Sequence, residues 1–185
     1  VDLSEGSLNA LETAVNIAKK HDANLRILHI DENNFHAMDD GNHSYLNNNI
    51  NSVDVINALV GAIQHKHGIK PSVIMEEGNV ADTVIKTSLL HPTDLIVMGA
   101  HGASGYRDSF IGSNTYNVIK HATCPVLSIP AKRKVNGLTK ILFPIRPVTG
   151  ALMPYEIVSR FTNPDTVMEV LGLTYRMIIE TAGSV

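Results

Sequence analysis

Residues 94–130 read DLIVMGAHGASGYRDSFIGSNTYNVIKHATCPVLSIP, and the order of their contents decides the fold. An apolar run ends at Gly99. Gly102, Gly105 and Gly112 follow with almost no large hydrophobes among them, then SNTYNVIKHA at helical spacing and the apolar PVLSIP. Strand, loop, helix and strand in that order predict a βαβ crossover and a parallel strand pair. Glycine lacks Cβ and reaches φ > 0, so a glycine-rich strand-to-helix loop lets backbone N–H groups come close to a ligand, phosphate being the usual one. The helix opened by Gly112 and Ser113 adds the partial positive charge of its N-terminus. The Ser113 hydroxyl is expected to donate to a phosphate oxygen or to cap the helix. A loop of this composition can equally serve tight turns alone.

Working outward, the same alternation recurs. SEGSLNALETAVNIAKKHD sets Leu8, Leu11, Val15 and Ala18 at helical spacing behind a candidate N-cap, Ser4, with Lys19 and Lys20 near the far end. NLRILHID is an apolar strand of the kind buried on both faces. Residues 31–49 are polar and Asn-rich and read as loop. Ile50, Val53, Ile56, Leu59, Val60 and Ile63 mark a second helix ended by Gly68. PSVIMEEG is a short strand and VADTVIKTSLLH a helix stopped by Pro92. The class is α/β with a parallel sheet, whose ligands bind beyond the carboxyl ends of the strands.

Composition narrows the function. The chain has 185 residues, 44% hydrophobic and 18% charged, with a formal net charge of -3. That suits a globular protein with one sizeable core, or one domain and part of another. KRK at 132–134 is the longest basic run, so there is no electrostatic footprint for nucleic acid. No apolar run reaches the length of a membrane span, and the N-terminus lacks the layout of a secretory signal. Cys124 is the single cysteine, which rules out a disulfide framework and points to a reduced compartment, the cytoplasm.

Neither G-x-x-x-x-G-K-[ST] nor the G-x-G-x-x-G of a dinucleotide fold is present. SGYRDS at 104–109 has a partial likeness to the pyrophosphatase loop of ATP-dependent ligases, but it follows the fourth strand rather than the first and is read as coincidence. Gly99, two residues, Gly102, nine residues, then Gly112 and Ser113 matches the G-2x-G-9x-G-[ST] pattern of the nucleotide-binding universal stress proteins. The chain resembles that family over about residues 1–130, through VDLSEGSLNALETAVNIAKK, LRILHID, IVMGAHG and NVIKHATCPVLSIP.

The resemblance implies a five-stranded parallel sheet flanked by helices, of the adenine-nucleotide alpha hydrolase-like kind, binding ATP, ADP or AMP, with Mg2+ accompanying the nucleotide, and usually dimeric. It places Asp2 at the adenosine, Ile30 against adenine and Met98 in the same pocket. Gly99, Gly102, Gly112, Ser113 and Asn114 match the segment that wraps ribose and phosphates, and His101 and Arg107 lie within that loop. The family's dimer contact falls on the last strand, here 125–130. Val1 and Asp2 correspond to the end of the family's first strand, so the rest of that strand is expected to precede them.

After Pro130, residues 131–139 read as a linker, and KILFPIRPVTGALMPYEIVSRF reads as a second opening of strand, loop and helix. DTVMEVLGLTY would be its second strand. Residues 140–185 are therefore expected to be a partial second repeat. It is degenerate for adenine binding, because Arg146 replaces the expected acidic residue and Pro154 falls early in the helix, where only the first turn tolerates it. Such a half-sheet is expected to pack on a partner, either the first domain as a pseudo-dimer or another chain.

Other residues carry plainer readings. His36, Asp40 and His43 have ligand-like spacing only if helical, and Gly41 and the Asn content argue against helix. Asp31 and Glu32 are read as loop-solvating carboxylates, and Cys124 as a small buried hydrophobe. Ser113 lies outside any G-x-S-x-G elbow, and no general base is identifiable. The preferred reading is a nucleotide-binding stress or regulatory protein without a dedicated catalytic site. The alternatives are a nucleotide-free dimeric scaffold of the same fold and a slow ATPase.

Overall fold

Ser4 starts the first helix for a local reason. Its hydroxyl accepts from the Ser7 amide at 3.2 Å, satisfying a first-turn donor that has no partner inside the helix. Asp2 steadies that cap, its Oδ1 accepting from the Ser4 amide at 3.0 Å and the Ser4 hydroxyl at 2.6 Å. Helix α1 then runs Glu5–His21, with Glu5 in its first turn and Lys19, Lys20 and His21 in its last, each charge on the side the helix dipole favours. Leu11, Val15 and Ala18 are buried as their spacing predicts, along with Gly6 and Ala10. Leu8 is 38% exposed, because the buried stripe is centred toward Ala10 and Ala18 and leaves it at the rim.

The computed structural model describes residues 1–32, 52–101, 111–132, 138–146, 148–150 and 152–172. The chain divides into two compact units, Val1–Lys134 and Val135–Val185. In the first, β1 (Arg26–Asp31) pairs in parallel with β2 (Ser72–Glu77), in register from Arg26 opposite Ser72 to Asp31 opposite Glu77. Helix α2 (Ser52–His67) connects them. Gly68 stops α2 at φ 73, a left-handed position that suits glycine, and its amide donates to the Gln64 carbonyl at 2.9 Å. Leu11, Val15, Ile27 and Ile63 form the core where α1 and α2 meet β1, with Leu25, Leu59, Val60, Ile69 and Val73 around them. β1 is not uniformly buried as its sequence suggests. Ile27 and His29 are buried, and the alternate residues Leu28 and Ile30 are half-buried.

Val1 lies beside β1. Its amino group donates to the Leu28 carbonyl, and its own carbonyl accepts from His29 Nδ1, which fixes the proton on that ring nitrogen. Helix α3 (Val80–Leu90) is capped by Asn79, whose side chain accepts from the Asp82 amide at 3.1 Å, and it ends at His91, as the following proline requires. β3 (Ile96–Gly99) and β4 (Val126–Ile129) form a second parallel pair, Ile96 opposite Val126 and Gly99 opposite Ile129, joined through α4 (Ser113–His121). Val118 and Ile129 are buried beneath this crossover at 0% and 2% exposure.

Among its described residues the second unit holds a strand, a helix and a parallel strand. β5 (Lys140–Ile145), α5 (Met153–Arg160) and β6 (Val167–Gly172) follow in order, and the strands pair in parallel with Lys140 opposite Val167. Pro154 sits in the first turn of α5, where its missing N–H leaves no helical bond unmade. Phe143 is buried with its ring edge-to-face against Tyr155, centroids 6.2 Å apart, while Leu142, Val167 and Val170 are exposed. Among the described residues the strands thus form three parallel pairs, β1–β2, β3–β4 and β5–β6.

Candidate functional site

Two hydrogen bonds close the base of the loop between β3 and α4. The Gly112 amide donates to the Ala100 carbonyl at 2.8 Å, and the Thr115 hydroxyl donates to the Gly99 carbonyl at 2.8 Å. The Ala100 amide donates to Ile129 at 2.8 Å, carrying the strand pairing one residue beyond β3. Thr115 is 2% exposed, so its hydroxyl had to find a partner inside the protein. The outcome is a loop that leaves and re-enters the fold at one place.

Gly112 is small because of what approaches it. Its φ of -63 is open to any residue, but a Cβ there would lie 3.3 Å from the Ala100 carbonyl oxygen and 3.5 Å from His101 Cα. Gly112 is also the N-cap of α4 and offers no side-chain acceptor, unlike Ser4 before α1 and Asn79 before α3. The first-turn amides of α4 therefore lack the capping partner those two helices have, and the partial positive end of its dipole faces the loop base. Ser113 is the first helical residue, so the capping role expected as one of its alternatives belongs to Gly112 instead.

The predicted residues distribute as follows. Gly99 ends β3, His101 is half-buried just beyond it, and Gly112, Ser113 and Asn114 open α4, so the two loop ends are in contact. Met98 is half-buried in β3 opposite Ser128. Asp2 is exposed and bonded to Ser4, ahead of the helix whose Gly6 lies against Gly99. Ile30 stands on the other strand pair, opposite Glu76 near the carboxyl end of β1. Gly102, Gly105 and Arg107, like His36, Asp40 and His43, lie outside the described residues.

Two residues at this site escaped the sequence reading. Thr115 follows the glycine-serine pair by two positions, and a hydroxyl in a first helical turn is the one signal that could have flagged it. Gly6 looked like an ordinary residue of α1. Among the described residues no group of three or more His, Cys, Asp or Glu is placed to hold a metal ion, and no helix is long and apolar enough to cross a membrane. Burial pushes the Cys124 thiol above its ordinary range, and Asp94 adds to the rise against two opposing backbone hydrogen bonds, at Cys124 and Ile96. Cys124 is half-buried rather than the fully buried hydrophobe its sequence suggests, because it stands at the approach to β4 and not within it, and the upward shift works against thiolate formation.

Residues 1–130 match the universal stress protein family. The universal stress protein MJ0531 of Methanocaldococcus jannaschii is 32% identical over 136 residues, which are 72% of this chain and 80% of that protein. The solved structure of the universal stress protein UspA from Lactobacillus plantarum superposes with a TM-score of 0.55 at 26% identity, covering 70% of this chain and 92% of that one. A universal stress protein solved in complex with cAMP gives a TM-score of 0.53 at 20% identity, over 71% of this chain and 93% of its own. A family match across most of the chain agrees with the α/β order of parallel strands and helices described above, and the chain belongs to the universal stress protein family.

Proposed function

We propose that the chain binds an adenine nucleotide, ATP or its relatives, at the loop between β3 and α4, and works as a stress-response regulatory protein without a dedicated catalytic site. The observation that carries this is the loop base. The Gly112 amide donates to Ala100, the residue after Gly99, beside a helix end that has no side-chain cap, and Gly99 and Gly112 keep the spacing the nucleotide-binding members share. Gly99, His101, Gly102, Gly112, Ser113 and Asn114 take ribose and phosphates, while Asp2, Ile30 and Met98 take adenosine. A family member crystallised with cAMP supports adenine as the base. Mg2+ accompanies the nucleotide on its phosphate oxygens.

Two finer readings of the architecture accompany this proposal. We infer that β1–β2 and β3–β4 belong to one five-stranded sheet, with Val1 and Asp2 in its central strand. Support comes from the bonds between Val1 and both Leu28 and His29, and from α1, which packs on the β1 core and also against Gly99. We also infer that β5–α5–β6 is a second, partial repeat, since it has the same strand, helix and parallel-strand order. The last strand of the first domain, residues 125–130, is then the surface that pairs with a second copy of the chain.

Native mass spectrometry of protein purified without added nucleotide, followed by calorimetric titration with ATP, ADP, AMP and cAMP, tests the reading. One adenine nucleotide per chain is expected, together with no turnover of ATP that depends on Ser113. Absence of any heat or mass shift with all four nucleotides would favour the nucleotide-free scaffold instead.

A further inference from the structure

Gly6 has no part in the glycine pattern at 99–113, yet it stands where that loop departs. It is buried in the first turn of α1, and a Cβ on it would lie 2.9 Å from the His101 carbonyl oxygen and 3.6 Å from Ala131 Cβ. The closeness is mutual. A Cβ on Gly99 would lie 3.1 Å from the Gly6 carbonyl carbon, 3.2 Å from its oxygen and 3.1 Å from the His101 carbonyl oxygen. Backbone rests on backbone, so what would have to yield is a peptide group and not the end of a flexible side chain. Helix propensity disfavours glycine here, and Gly6 is not among the positive-φ residues, so neither preference nor torsion accounts for it. Gly61, in α2, gives the contrast, with nothing within 4 Å of the Cβ it lacks.

Three successive carbonyls at the exit of β3 are thereby constrained, two by the start of α4 and one by α1. Gly99 is held by Thr115, Ala100 by the Gly112 amide, and His101 by the space left at Gly6. One turn further along the same face of α1, Asn9 Nδ2 donates to the Pro130 carbonyl at 2.8 Å and ties the helix to the end of β4. We propose that Gly6 is a positioning residue for the candidate phosphate loop, its missing side chain letting α1 seat against residues 99–101 and set the backbone from which the loop departs. The ligand part of this inference rests on the nucleotide reading above.

In the Gly6→Ala chain, contact with the His101 oxygen must open from 2.9 Å to the 3.4 Å of ordinary van der Waals separation. That displacement is as large as the roughly 0.5 Å within which a binding site must be held. The test compares wild type, Gly6→Ala and Gly61→Ala as full chains. Amide exchange is measured without ligand, and ATP, inorganic tripolyphosphate and adenosine are titrated.

Gly6→Ala should speed exchange at 99–101 and 112–115 and leave β1 and β2 unchanged. It should raise the Kd of ATP and tripolyphosphate on the order of tenfold, with adenosine within about twofold. Gly61→Ala should change none of these. Exchange at 99–101 equal to wild type overturns the proposal, as does faster exchange spread over the whole unit with all three ligands weakened alike. If Gly6→Ala alone fails to fold, the same comparison is made in the Gly61→Ala background, where better helix propensity offsets the loss. A wild-type chain that binds neither ATP nor tripolyphosphate refutes the nucleotide reading, while the exchange measurement still decides the role of Gly6.

Discussion

Replacing Thr115 by valine isolates one bond at the loop base. Valine keeps the shape of threonine at a site only 2% exposed, so packing survives and the donor to Gly99 is what disappears. An ordinary buried hydrogen bond contributes about 1 kcal/mol, and a carbonyl left without its partner raises the cost toward about 3 kcal/mol. Thr115→Ser keeps the donor and removes one methyl, for about 1 kcal/mol. Closing a loop of roughly ten residues costs about 2 kcal/mol in chain entropy, which is on the scale of the two base bonds together. Losing one should therefore leave the base open much of the time. Urea unfolding followed by circular dichroism gives the stability cost, and amide exchange at 99–101 and 112–115 gives the opening. The valine chain should lose about 1 to 3 kcal/mol and exchange faster at the base, while the serine chain should keep near-native exchange there. Native exchange in the valine chain, or equal opening in both, would refute the reasoning.

Other outcomes follow from particular contacts. Ile27→Ala empties a site 2% exposed between α1, α2 and β1, and should lower unfolding free energy by about 2 to 5 kcal/mol in a denaturant titration with an unchanged slope. A loss under about 1 kcal/mol would mean that this core collapses around the gap. Asp2→Ala removes both bonds to Ser4, and should cost about 1 kcal/mol and weaken ATP while sparing tripolyphosphate; equal weakening of the two in competition titrations would remove Asp2 from the adenosine side. Cys124 has a raised thiol pKa in the fold. Its contribution to stability is therefore full below the unfolded thiol's pKa and lost as pH rises through the folded one. Alkylation by iodoacetamide should be slower in native than in urea-unfolded protein at about pH 8, and equal rates would contradict the half-buried, protonated thiol.

Much of this architecture is legible in the sequence because it is written in local terms. Ser4 and Gly68 punctuate helices by chemistry that acts within a few residues, and Pro154 announces its own first-turn position. Gly99 and Gly112 are visible as a spacing. What the pattern does not carry is the contact made at a distance along the chain. Thr115 reads as one more polar helix residue until its hydroxyl is seen on Gly99, and Gly6 reads as a weak helix former until the His101 carbonyl is found beside it. Leu8 and β1 show the same gap on the apolar side, since periodicity says which residues share a face but not how far the burying layer extends over it.

Every strand pair among the described residues runs in parallel, which has a consequence for how the protein comes to exist. No pair can begin from a hairpin turn; each strand must wait for its neighbour to arrive from beyond an intervening helix. The bonds from Gly112 to Ala100 and from Thr115 to Gly99 lie inside the stretch that brings Val126 to Ile96, so the candidate nucleotide cradle and that strand pair form as parts of one crossover. A nucleotide that recognises the cradle would then act on the newly made chain as a latch, drawing the folding equilibrium forward by mass action.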